Sequence, residues 1–162
     1  MIREITQHDS SRILEIYKQG LDTGNATFET EVPPWTEWDL KYHTHSRFVY
    51  VENEQILGWV ALSPVSKRAA YKGVAEISIY IDTGALGKGI GSILMDKVIK
   101  SSEEQGIWTL FSSVFPENTA TINLHEKFGF RSIGTRERIA RHHGKWRDTI
   151  LLERRSNIVG VL

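Results

Sequence analysis

Between Val74 and Gly91 a strand pattern runs into a glycine-rich turn and then into a helix pattern, with no linker between them. Ala75, Ile77, Ile79 and Ile81 alternate with Glu76, Ser78 and Tyr80, so one face of the strand is apolar and the other carries chemistry. Gly84-Ala85-Leu86-Gly87-Lys88-Gly89-Ile90-Gly91 follows, and Ile93, Leu94 and Val98 continue at helical spacing. Glycines at alternate positions remove the side chains that would hold a ligand off the backbone, and the helix start points its free N–H groups at that ligand. Such a loop suits a phosphate or pyrophosphate. Two other phosphate-binding patterns are disfavoured by spacing. A P-loop needs Ser or Thr after its Gly-Lys, where this chain has Gly89, and the dinucleotide fingerprint needs its third glycine at Ser92.

The rest of the chain reads as alternating hairpins and strand-helix units. A strand near Ile2 to Thr6 leads to a helix opened by Asp9 or Ser10, with Ile13, Ile16, Tyr17 and Leu21 on its buried stripe. Thr36-Glu37-Trp38-Asp39 has the form of a capping box and predicts a short helix to about His45. Phe48 to Val51 and Ile56 to Leu62 form a hairpin across Asn53 and Glu54. Trp108 to Val114 is a further strand, Asn118 to Phe128 a helix stopped by Gly129, and Phe130 to Ala140 with Trp146 to Glu153 a closing hairpin. On the Asn118 helix, Ala120, Leu124 and Phe128 are expected to form the buried stripe, with His125 one step round from it. This order predicts an α+β fold: a mixed, mostly antiparallel twisted sheet of about seven strands flanked by about four helices.

Composition narrows the partners. The 162 residues carry 20 Lys plus Arg against 20 Asp plus Glu, so no overall basic field draws the chain to nucleic acid. Cysteine is absent, which excludes disulfides, thiolate metal sites and a cysteine nucleophile and fits a cytoplasmic location. His43 and His45, or His142 and His143, have no third ligand near them in sequence, so no metal is expected. No apolar leader or membrane-length run is present, and no linker or repeat divides the chain. One domain over residues 1–162, without membrane contact, is the expectation.

The order of strand, glycine loop, helix, strand, Asn118 and Lys127-Phe128-Gly129-Phe130 resembles the GCN5-related N-acetyltransferase (GNAT) superfamily over nearly the whole chain. A narrower resemblance, to phosphinothricin acetyltransferase-like amino-acid N-acetyltransferases, rests on five fragments in order. These are Ala26 to Thr30, Arg68 to Tyr71, Glu76 to Tyr80, Asn123 to Lys127 and Gly144 to Asp148. The resemblance implies a homodimeric enzyme that moves acetyl from acetyl-CoA directly to the α-amino group of a small amino-acid-like substrate. Phosphinothricin, methionine sulfone and methionine sulfoximine are of that type. The alternatives are a protein N-terminal or polyamine acetyltransferase, and a non-catalytic acyl-CoA sensor on the same fold.

Implied roles follow the same positions. Acetyl-CoA is expected to lay its pyrophosphate on the amides of Gly87, Lys88, Gly89, Ile90, Gly91 and Ser92. Its pantetheine arm is expected along the backbone of Ile79, Tyr80 and Ile81, with Asn118 bonding the arm. Leu86 stands where the superfamily uses Arg or Gln, which predicts weaker cofactor affinity. Glu76 is the expected general base and His125 the expected acid or orienting group. Phe28, Glu29, Trp35, Arg68 and Tyr71 are the expected substrate residues, with the Arg68 guanidinium taking a carboxylate.

Overall fold

The computed structural model describes residues Met1–Leu162 as one seven-stranded sheet with four α-helices. The elements are β1 (Ile2–Glu4), α1 (Ser10–Asp22), α2 (Trp35–Lys41), β2 (Phe48–Glu52), β3 (Gln55–Pro64), β4 (Val74–Ile81), α3 (Ile90–Glu104), β5 (Thr109–Val114), α4 (Thr119–Lys127), β6 (Arg131–His142) and β7 (Lys145–Arg155). Strand order is β1-β2-β3-β4-β5-β7-β6. Every neighbouring pair is antiparallel except β4 and β5. The expected α+β architecture is therefore the observed one.

The alternation of β4 explains how the sheet divides two cores. Ala75 and Ile77 join Leu94, Met95 and Val98 of α3 in one cluster, which also takes Phe48, Val60, Leu62, Leu110 and Leu152. Tyr80 leans on the opposite cluster, where Ile13, Ile16 and Tyr17 of α1 meet Trp38 of α2 and Trp59 of β3. Trp38 and Trp59 are almost completely buried, each contributing on the order of 3 kcal/mol by removal from water. Their rings meet edge to face at 5.2 Å, which fixes α2 against the sheet.

Two local expectations are corrected. Helix α2 starts at Trp35 behind Pro34, without a side-chain cap, and ends at Lys41 instead of near His45, because Tyr42 is already extended. Pro34, not Thr36, stands at the cap, and its carbonyl accepts from Trp38 N at 3.1 Å, so Thr36 lies inside the first turn. In α4 the buried residue is His125, 1% exposed, whereas Ala120 is exposed and Leu124 and Phe128 are only half-buried. The helix is turned so that His125 packs on Phe130, with ring centroids 4.8 Å apart.

Candidate active site

The parallel pairing of β4 with β5 covers only Val74 to Glu76 against Thr109 to Phe111. Beyond Glu76 the strands part. β4 stays bonded to β3 as far as Ile81, and β5 stays bonded to β7 as far as Val114. The opened gap is part of a cavity of about 720 Å³, lined by Glu76 to Ile81 on one side and by Ser112 to Phe115 on the other. Main-chain groups of β4 from Ile77 onward thus face space on a strand that lies in the middle of the sheet. They are free to pair with an extended chain carrying amides.

At the far end of β4 lies the glycine loop. Gly87 and Gly89 have φ of +78° and +77°, and a Cβ built on either would meet no atom within 4 Å. The loop therefore uses glycine for its left-handed backbone, leaving an open cradle in front of α3. Gly89 is the N-cap of α3 and offers no side chain to its first N–H groups, so they are available to an anion. The residues fit a pyrophosphate. Leu86 lines the neighbouring end of the cavity and is well exposed.

Glu76, Ser78 and Tyr80 face the cavity from the same side of β4, as the alternation predicts. Burial pushes the Glu76 carboxyl above the ordinary carboxylate range, and Lys41 and Arg136 offset this only in part. Tyr42 donates to Ser78 Oγ at 3.1 Å, and burial raises its pKa to about 12, so this hydroxyl keeps its proton. Tyr80 is sandwiched between Tyr17 and Trp59, each at a centroid distance of 5.0 Å. Gly20 of α1 makes that stack possible, since a Cβ there would come within 2.6 Å of the Tyr80 ring.

His125 closes the α4 side. Its Nδ1 lies 2.6 Å from the carbonyl oxygen of Thr121, and a carbonyl only accepts, so Nδ1 carries the proton. Nε2 is left as a buried lone pair without a partner. Burial lowers the pKa of the ring, opposed by the Thr121 carbonyl, and the imidazole is neutral at physiological pH. In this state His125 presents an acceptor, not a proton donor.

A loop from Asn25 to Glu29 lines the cleft and contributes Phe28 and Glu29. Arg147 of β7 holds it. Its Nη1 donates to Gly24 O at 2.8 Å and its Nη2 to Asn25 Oδ1 at 2.9 Å, and it pairs with Glu117 at 3.2 Å. Its guanidinium carbon also lies 3.9 Å from the centroid of the Phe115 ring. Asn118 caps α4 through Thr121 N and donates to Asn25 O at 3.2 Å. Its amide thus serves both helix and loop, with one acceptor site and one N–H still free.

Of the residues singled out from sequence, the cavity brings together Phe28, Glu29, Glu76, Ile79, Tyr80, Ile81, Asn118 and His125. Trp35, Arg68 and Tyr71 do not line it, and neither do Gly87, Lys88, Gly89, Ile90, Gly91 and Ser92, which follow Leu86 at its end. Trp35 stacks on Trp38 at 4.7 Å, and Arg68 lies over Tyr71 at 5.7 Å in an exposed turn. Sequence reasoning missed Lys41, Tyr42, Ser112 and Thr149, all of which line the cavity. None of these four carried a readable signal; Ser78, which also lines the cavity, did so through the polar alternation of β4. Nowhere do three or more His, Asp or Glu side chains converge as a metal cage, and no helix is long and apolar enough to cross a membrane.

Residues 11–130 match the Acetyltransferase (GNAT) family. A phosphinothricin N-acetyltransferase of Alcaligenes faecalis is 30% identical over 96% of this chain and 82% of its own length. The L-methionine sulfoximine/L-methionine sulfone acetyltransferase of Pseudomonas aeruginosa PAO1 is 23% identical over 94% of this chain and 92% of its own. Among solved structures, a GNAT superfamily phosphinothricin acetyltransferase from Sinorhizobium meliloti in complex with AcCoA superposes with a TM-score of 0.91. It is 26% identical, over 100% of this chain and 91% of the other.

Proposed function

The chain belongs to the acetyltransferase (GNAT) family and is an N-acetyltransferase; from that premise we propose that it acetylates the α-amino group of a small amino-acid-like substrate of the phosphinothricin or methionine sulfoximine type. The observation that carries the reading is Glu76. Its half-buried carboxyl, with a raised pKa, stands where β5 leaves β4, between the backbone that faces the gap and the loop bearing Phe28 and Glu29. A carboxylate with such a pKa is suited to take a proton from an ammonium near neutral pH.

Acetyl-CoA, when bound, supplies the thioester whose acyl carbon accepts the amine. The amides of Gly87 to Ser92 would hold its pyrophosphate, and the main chain of Ile79 to Ile81 its pantetheine amides. An N–H of that stretch would bond the thioester oxygen. Glu76 removes the ammonium proton, directly or through one water, so that the nitrogen lone pair can form the C–N bond. His125, neutral and with Nε2 unpartnered, accepts a hydrogen bond from the amine or a bridging water and orients it. Proton return to the departing thiolate is assigned to the acid that Glu76 has become, or to solvent. Phe28 and Tyr80 limit the width of the amine side.

The reading includes a cytoplasmic homodimer. A chain without cysteine is in keeping with the first. The long edge strand β6, exposed along nearly all its length, with Ile133, Ile139 and Trp146 uncovered on its hairpin, is in keeping with the second. The test is a thiol-release assay with acetyl-CoA across phosphinothricin, methionine sulfone, methionine sulfoximine, polyamines and short peptides. Turnover on the amino acids well above that on the other classes is expected. A preference for peptides or polyamines would overturn the reading.

A further inference from the structure

The cavity is lined by three carboxylates, on Glu29, Glu76 and Glu117, and by a single cationic side chain, Lys41. Glu117 already pairs with Arg147. Lys41 is the last residue of α2 and is exposed, and its ammonium enters none of the chain's ion pairs. Its Nζ lies 5.2 Å from the centroid of the Tyr42 ring. The Tyr42 hydroxyl in turn donates to Ser78, which is two positions from Glu76 on the same face of β4.

We infer that Lys41 anchors the carboxylate of the amino-acid-like substrate while its amine is turned toward Glu76, an inference that rests on the function proposed above. A zwitterion entering a half-buried cleft brings two charges that both lose water, and each needs an opposite partner there. Glu76 answers the ammonium. For the carboxylate, the only ionic partner along the cavity wall is Lys41. Arg68, the sequence candidate for this task, is engaged with Tyr71 in an exposed turn outside the cavity.

The choice of lysine has a consequence for selectivity. An ammonium on a flexible stem is a point charge that meets a carboxylate over a range of positions, where a guanidinium fork would demand one geometry. The site is therefore suited to several amino acids that share the α-amino and α-carboxylate pair but differ in side chain. Lys41 also acts on Glu76, since its charge, like that of Arg136 on β6, favours the ionised carboxyl against the effect of burial. One residue thus bears on binding and on the pH at which the base is ready.

The experiment compares the parent with Lys41→Gln and Lys41→Arg on one good amino-acid substrate and on its decarboxylated amine, with acetyl-CoA saturating. Lys41→Gln is expected to raise KM for the amino acid by about 10-fold, the loss of one charge-assisted contact, and to narrow the preference over the amine by the same factor. Lys41→Arg should recover most of that preference. In Lys41→Gln the acid limb of kcat/KM should also move to higher pH with either substrate, a shift that a merely structural lysine would not cause. Protection from thermal unfolding by acetyl-CoA checks that the variants fold. An amino-acid preference that is the same in parent and Lys41→Gln overturns the inference and leaves the proposed function standing. A parent that acetylates amines but no amino acid overturns both.

Discussion

Arg147, near the start of the last strand, donates through Nη2 to Oδ1 of Asn25 at 2.9 Å, across 122 positions of sequence. The same side chain reaches Gly24 O and Glu117, so a single guanidinium fixes the cleft-lining loop to the far side of the sheet.

Replacing it should loosen that loop without disturbing the cores. Arg147→Ala leaves Gly24 O and Asn25 Oδ1 unpartnered, each worth about 1 kcal/mol as a net hydrogen bond, so a stability loss of about 2 kcal/mol is expected in urea unfolding. Amide exchange from Asn25 to Glu29 should quicken in the same variant. Unchanged exchange there would show that the loop is held by something else.

Gly89→Ala addresses the glycine loop. A left-handed φ of +77° costs a non-glycine residue about 1 kcal/mol, while the added methyl meets no protein atom. Stability should therefore fall only slightly. The methyl would project into the cradle in front of α3, and acetyl-CoA affinity measured by calorimetry should drop by at least about 10-fold. Affinity equal to the parent's would remove the loop from the cofactor site.

Glu76→Gln should separate activity from stability. Turnover at neutral pH is expected to fall by about 10²-fold, the scale of general-base loss, with acetyl-CoA binding retained. A carboxyl whose pKa is raised on folding favours the folded state most at low pH, below the unfolded value, and that favour is lost as pH rises through the raised value. At pH 7.5 the ionised Glu76 is therefore a liability that Gln removes. Differential scanning should show Glu76→Gln melting higher than the parent at pH 7.5, and the gain should vanish near pH 4. A lower melting temperature at pH 7.5 would assign Glu76 to structure.

Four imidazoles, on His43, His45, His125 and His142, have pKa values lowered below 6.5, with burial the leading cause in each. A histidine lowered on folding contributes stability that is whole above its unfolded pKa and is lost as pH falls through the folded one. Unfolding free energy should thus decline from about pH 6.5 downward, well before carboxylates such as Asp9, which Arg3 holds low, begin to titrate. His43 stacks on His45 at 4.7 Å with a buried, unpartnered Nε2, and His43→Gln should make the decline shallower. A parent whose stability is flat between pH 7 and 5 would contradict this account.

What the sequence made legible was whatever is encoded within a few residues. The alternation of β4 placed Glu76 on the cavity face, and the spacing of Gly87 and Gly89 located the anion cradle, because backbone period and glycine conformation are local properties. Asn53 and Glu54 sit at the hairpin turn read from their neighbours, with φ of +51° and +64°. Lys41 and Arg147 were not legible as site residues. Lys41 reaches the cavity because α2 ends there, with Tyr42 already extended, and that end depends on packing Trp38 against Trp59. Arg147 matters through partners near position 25, a contact that no local pattern announces. Arg68 differs in the other direction: its neighbours form a recognisable fragment, and a short exposed turn carries the guanidinium outside the cavity lining.

The parting of β4 from β5 gives the sheet a third margin besides its two outer ones. An outer margin is open to any passing chain and carries a risk of sticking to other molecules. This inner one is flanked by Ser112 to Phe115 and roofed by α4 and the Asn25 loop, so its donors and acceptors are shielded from a second sheet and from bulky chains. Admission is by girth: an unbranched thread carrying amides can slide in where a folded neighbour cannot. The sheet thereby keeps an unfinished row of hydrogen bonds in its middle without becoming adhesive.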